Sequence, residues 1–121
     1  MPAPSASVPA CPVTAVVALV GGKWKIPILW QLGQGTLRFG ELRRALPGIS
    51  EKMLAQQLGQ LTEDELVART AYAEIPPRVE YALTPLGHSL VPALDALAAW
   101  GAAHLDGAWH VPSAERLRAS A

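Results

Sequence analysis

The sequence predicts a mainly α-helical domain that carries one small β-hairpin. Three observations predict it. Apolar residues recur at helical spacing through most of the chain, Val79, Tyr81 and Leu83 alternate with period two, and proline, glycine or a capping hydroxyl stands at most changes of pattern. A length of 121 residues fits one compact domain, and 50% hydrophobic with 17% charged residues is a globular composition.

Residues 1–10, "MPAPSASVPA", are rich in Pro, Ala and Ser without periodicity and read as a disordered arm. The domain is expected over residues 11–110. Pro12 suits a first helical turn with Cys11 as its N-cap, and Val13, Val16, Val17 and Val20 share one face before Gly21-Gly22 stops the run. A second helix starts near Lys25 or Ile26, tolerates Pro27 in its first turn, and runs through Leu29 and Leu32 to Gly33. Thr36 to Arg38 reads as a brief strand.

Phe39, Leu42 and Leu46 mark a two-turn helix that ends at Pro47-Gly48, and Ser50 is placed to cap the next. There Leu54, Leu58 and Leu61 form the buried stripe. A turn of about 100° per residue puts Lys52, Gln56 and Gly59 opposite, with Ala55 and Gln60 beside them. That outer face is lean: two small residues allow close approach, and one cation with two amides suits phosphates and base edges, so it fits a DNA major groove.

Two strands follow, Leu66 to about Tyr72 and Arg78 to Leu83, joined by Glu74 to Pro77; a Pro-Pro tip adds no ladder bonds, so the hairpin should protrude rather than extend a sheet. Thr84-Pro85 opens a long helix lined by Leu86, Leu90, Leu94, Leu97 and Trp100, with a kink expected at Pro92. Val91, Ala93, Ala98 and Ala102 widen its apolar surface beyond the needs of a small core, which calls for a partner helix. Residues 111–121 read as a frayed tail with Ser113 as a cap.

The single cysteine, Cys11, excludes an internal disulfide and a cysteine-based zinc cluster, and fits a reducing compartment. With neither a signal peptide nor an apolar run of membrane-spanning length, the expectation is a soluble, cytoplasmic protein without membrane contact. His88, His104 and His110 with Asp95 and Asp106 have no recognised metal spacing. There is no glycine-rich phosphate loop, nucleophile elbow or HExxH, so no enzyme, metal or cofactor is expected. Net charge is zero, yet residues 23–78 hold eight basic and six acidic side chains, a surplus that fits a small patch.

The segments "CPVTAVVALVGGKWKIPIL", "LRFGELRRALPGISEKML", "LVART" and "PPRVEYALTPLGHSL" together resemble HxlR-type bacterial transcription regulators, from about Cys11 to Trp100. The resemblance implies a winged helix-turn-helix in which Ser50 to Glu63 is the recognition helix and the hairpin the wing. It also implies a homodimer on palindromic double-stranded operator DNA, with repression as the family expectation. Dimerisation in such proteins uses the first and last helices, here Cys11 to Val20 and Thr84 to about His104. The family usually has glycine where this chain has Glu65, at a left-handed helix cap where a side chain costs about 1 kcal/mol.

The DNA-contact candidates are therefore Arg38, Ser50, Lys52, Gln56, Gln60 and Arg78: Lys52, Gln56 and Gln60 for the groove, Arg38 and Arg78 for the backbone. Arg43 and Arg44 read as solvated surface charges. Cys11, at the positive end of a helix, favours thiolate, and some members of the family sense oxidants or electrophiles through a cysteine in this "CP" position. A lone thiol would do so by an intersubunit disulfide, a mixed disulfide or alkylation. Of the four tryptophans, Trp24 and Trp100, with Val17, Leu90, Leu94 and Leu97, are candidates for the dimer interface or for a hydrophobic effector pocket there. Two alternatives stand: a DNA-binding regulator controlled by such a ligand, and a helical protein-interaction module without DNA binding.

Overall fold

The computed structural model describes residues 11–105. The expected arm, the tail from Val111, and Trp109 and His110 lie outside that range. The elements are α1 (Pro12–Val20), α2 (Lys25–Leu32), β1 (Leu37–Arg38), α3 (Phe39–Ala45), α4 (Glu51–Glu63), β2 (Val67–Tyr72), β3 (Arg78–Leu83) and α5 (Pro85–His104). No single helix among the described residues is long and apolar enough to cross a membrane.

The core lies between α2, α3, α4 and the base of the hairpin. Ile28, Leu29, Leu32, Leu42, Leu54, Leu58, Leu61 and Val67 are its fully buried side chains, each contributing about 1.5 to 3 kcal/mol by leaving water. The stripe expected on α4 is the buried one.

The hairpin does extend a sheet. Two-residue β1 pairs antiparallel with the free edge of β3 in the order β1-β3-β2, with Leu37 opposite Tyr81. The prolines keep only the tip clear of the ladder. Pairing also settles the register of β2: Val67 faces Leu83, Arg69 faces Tyr81 and Ala71 faces Val79, which puts Thr70 and Tyr72 on the other face with Glu80 and Arg78.

The turn between α4 and the wing carries much of the geometry. Leu66 N–H donates to the Leu61 carbonyl at 3.0 Å and Glu65 N–H to the Thr62 carbonyl at 3.0 Å. This is the paired-bond helix stop in which the residue after the cap is left-handed, and that residue is Glu65, with φ 62°. The turn keeps the glycine geometry without the glycine; its bonds and the burial of Leu61 and Leu66 offset the strain. Glu65→Gly should therefore raise stability by about 1 kcal/mol, measured as a higher urea midpoint at unchanged slope; a lower midpoint would show that the carboxylate does more than occupy the site.

Directly after β3, Thr84 joins the wing to α5. Its N–H donates to the Leu66 carbonyl at 3.1 Å. Its hydroxyl donates to the Glu65 carbonyl at 2.6 Å and accepts from Gly87 N–H at 3.0 Å, which makes it the expected N-cap. Helix α5 then runs through Pro92, a residue with no N–H to offer the His88 carbonyl.

The terminal helices depart from the expected stripes. Of the expected apolar stripe on α5 only Leu94 is buried, with Leu90 and Val91 half-buried against the core, while Leu86, Leu97 and Trp100 face outward, Leu97 at 62% exposure. On α1 Val20 alone is buried, and Val13 (68%), Val16, Val17 and Leu19 are exposed. The period identified an apolar face on each helix but not what covers it.

Candidate nucleic-acid interface

The interface candidate is built on α3, the turn at Pro47-Gly48 and α4. Gly48 adopts φ 92°, a left-handed turn that a side chain would strain. Ser50 accepts from Met53 N–H at 3.0 Å, so its hydroxyl is the expected cap and serves α4 first. The Leu54, Leu58 and Leu61 stripe packs inward, and this sets the outward face: Lys52, Ala55, Gln56 and Gly59 are exposed and Gln60 half-buried. Nothing lies within 4 Å of where a Cβ on Gly59 would stand. Gln57 turns back toward Met53 Sδ at 3.6 Å, leaving Gln56 and Gln60 as the amides at this surface.

Arg38 is exposed at the start of α3, where its N–H donates to the Glu41 carboxylate at 2.8 Å. Its guanidinium has no ion-pair partner among the described residues. Arg43 is not simply solvated: it lies 3.8 Å from Glu51 and its Nε is 3.5 Å from the Ile49 carbonyl, a loose brace between α3 and the start of α4. Arg43 and Arg44 also line an open cleft of about 620 Å³ with Gly40, Gly48, Ile49 and Ser50. Sequence reasoning passes over this basic hollow because its walls come from both sides of the turn.

Arg78, expected at the DNA backbone, stands in a cluster on the wing: its guanidinium sits 3.9 Å above the Tyr72 ring, 3.1 Å from Glu74 and 3.8 Å from Glu80. The Tyr72 hydroxyl donates to Glu80 at 3.0 Å; that bond and the Glu80 charge hold the phenol above its usual pKa. The cause is the cross-strand register, which sets Tyr72 opposite Arg78 and the two carboxylates within reach.

Cys11 is exposed at the start of α1. The Thr14 and Val13 backbone N–H groups, then the Thr14 hydroxyl, at the start of α1 favour the thiolate and hold its pKa below the ordinary thiol value, although the side chain makes no capping hydrogen bond. The rate of iodoacetamide alkylation should accordingly reach half its maximum at a lower pH in the folded protein than in urea. Coincident profiles would remove the case for an activated thiol.

Among the described residues, no cavity is lined by the candidate effector residues together. Trp24 is half-buried under Lys23, whose Nζ is 5.0 Å from the ring centroid, and Trp100 stacks on His104 with centroids 4.8 Å apart. The cavity in this region, about 210 Å³, lies instead between α2 and α5, lined by Trp30, Gly33, Gln34, Val91, Leu94 and Asp95. Leu94 is the sole candidate among them.

Comparison with known proteins agrees with this architecture. Residues 19–108 match the family described as HxlR-like helix-turn-helix. The chain is 47% identical over 92 residues to the regulatory protein MalR of Fusobacterium mortiferum, covering 75% of this chain and 87% of MalR. Among solved structures, a transcriptional regulator of the MarR family from Porphyromonas gingivalis W83 superposes with TM-score 0.76 at 43% identity, over 84% of this chain and all (100%) of that one. The redox regulator HypR in its oxidised form superposes with TM-score 0.74 at 40% identity, over 79% of this chain and 99% of that one. With a bare groove-sized helix face, a winged three-stranded sheet and relatives of this kind, the chain belongs to the HxlR-like helix-turn-helix family of transcriptional regulators.

Proposed function

We propose that the protein is a homodimeric repressor that binds a palindromic operator through two copies of α4 and releases it when Cys11 is oxidised or alkylated. The outward face of α4 carries this reading: small residues at Ala55 and Gly59 beside Lys52 and Gln56 let the helix backbone approach base edges closely. A two-fold axis suits the exposed apolar faces of α1 and α5, and two recognition helices related by such an axis read a palindrome. An exposed thiol with favoured thiolate, in a fold shared with HypR, which is described as a redox regulator, supports the switch.

The test is an anisotropy titration against duplexes enriched from a random pool, run reduced and then after diamide. Salt-sensitive binding that diamide abolishes, and that survives diamide in Cys11→Ser, is the expected result. Binding indifferent to diamide favours a ligand-controlled regulator, for which the cavity beside Trp30 is the specific observation. Protein association barely responsive to salt, with no duplex bound, would instead identify an interaction module. Within the DNA reading, Lys52→Ala should weaken all sequences about equally, whereas Gln56→Ala should relax preference at one base pair by about 1 to 3 kcal/mol. An equal loss on every sequence from Gln56→Ala would remove its base-reading role.

A further inference from the structure

Resting on the DNA-binding reading above, we propose that each operator half-site is centred on A·T pairs, with Gln56 bonded to an adenine edge in the major groove and the Ala55 methyl seated against the methyl of a neighbouring thymine.

Few side chains of α4 are free to meet a base. Guanine is most often read by the fork of an arginine; α4 has none, and its single cation, Lys52, is a point charge suited to phosphate. Cytosine is read by a carboxylate. Glu51, the acid of the first turn, lies 3.8 Å from Arg43 of α3, and Glu63 stands at the far end of the helix from the residues that enter a groove. The hydroxyls are engaged as well: Ser50 accepts from Met53 N–H at 3.0 Å, and Thr62 donates to the Leu58 carbonyl at 2.7 Å. Gln57 is turned back to Met53 Sδ. Gln56 is then the exposed amide of the N-terminal half, with Ala55 exposed beside it and Gln60 half-buried a turn further on.

A primary amide presents a donor and an acceptor side by side, and in the major groove adenine alone answers with both, through N7 and its N6 amino group. Ala55 has only a methyl group to offer, and the thymine methyl is the apolar group on that edge. A Cβ reaches it only if the helix backbone comes close. Gly59, a turn on from Ala55, permits this, because it has no side chain and nothing stands within 4 Å of where its Cβ would be. Gly59 thus sets the approach, and Ala55 and Gln56 read adjoining bases.

Duplexes enriched from a random pool with the wild-type protein provide the probes. Replacing each adenine in turn by 7-deazaadenine removes N7 and leaves base pairing intact, and replacing each thymine by uracil removes only the methyl. The wild-type protein should lose about tenfold in affinity at one adenine per half-site. It should lose about fourfold at a thymine beside it. In Gln56→Ala the adenine replacement should cost nothing further, and in Ala55→Gly the thymine replacement should cost nothing further, each variant keeping its response to the other. The altered duplexes act on the wild-type protein, so a poorly folded variant does not remove the test. Tolerance of either replacement at every position, or a loss in Gln56→Ala confined to a G·C pair, overturns the A·T reading while operator binding itself stands. Failure of the wild-type protein to bind any duplex overturns the DNA reading and the base assignment with it.

Discussion

Gly87→Ala is expected to destabilise the domain by about 2 kcal/mol or more, lowering the melting temperature by roughly 10 °C. A Cβ on Gly87 would stand 2.2 Å from the Leu66 carbonyl oxygen and 3.3 Å from the Leu83 Cβ. The near atom is backbone in a turn already fixed by two hydrogen bonds, so it cannot rotate away as a side chain could. Alanine's better helix propensity returns only about 1 kcal/mol. To relieve the overlap, α5 must lift from the wing, straining the bonds of Thr84 to Glu65, Leu66 and Gly87. Thermal melts of the variant beside Gly101→Ala check this, since a Cβ at Gly101 would meet only the Leu105 side chain, at an ordinary 3.9 Å. Equal melting temperatures for the two variants would mean that α5 does not seat on Leu66 as described.

The second large effect concerns association. Leu97→Glu should convert the proposed dimer to monomers and weaken operator binding by about a hundredfold or more. Leu97, Trp100, Leu86 and the exposed valines of α1 each stand to gain about 1.5 to 3 kcal/mol on burial, and a two-fold axis places each substitution twice in one interface. A carboxylate there must be desolvated without a partner. In the isolated chain the same position is in water, so folding of the monomer should be little altered. Sedimentation equilibrium together with anisotropy decides the matter. A variant that remains dimeric moves the interface elsewhere, and one that is monomeric yet binds the full operator with native affinity separates association from DNA recognition.

Local features were legible where one residue type had one physical use. The Ser50 cap, the Pro47-Gly48 break, the Thr84-Pro85 helix start and the Leu54, Leu58 and Leu61 stripe all stand where their chemistry places them. Glu65 was legible as an anomaly, and its positive φ shows that this chain makes the left-handed turn with a residue other than glycine. Pairings between distant segments were less accessible. The attachment of β1 to β3 depends on which sheet edge is free, and two residues have no period to display. The partners of Arg78 were not legible, because a charge on a predicted wing carries no mark of them; Glu74 lies a turn away and Tyr72 across the ladder. Helices α1 and α5 show the same limit, since an apolar face looks alike whether its own domain or another molecule covers it.

The meeting of Glu65, Leu66, Thr84 and Gly87 has a consequence for exchanging specificities between relatives. Residues 51–60 make none of these bonds, so a transplant confined to them should carry a new operator preference into this scaffold at little structural cost. A transplant that continues to Leu66 divides a joint whose other half lies some twenty residues downstream, and it should fold well only when the donor's own Thr84 and Gly87 equivalents travel with it.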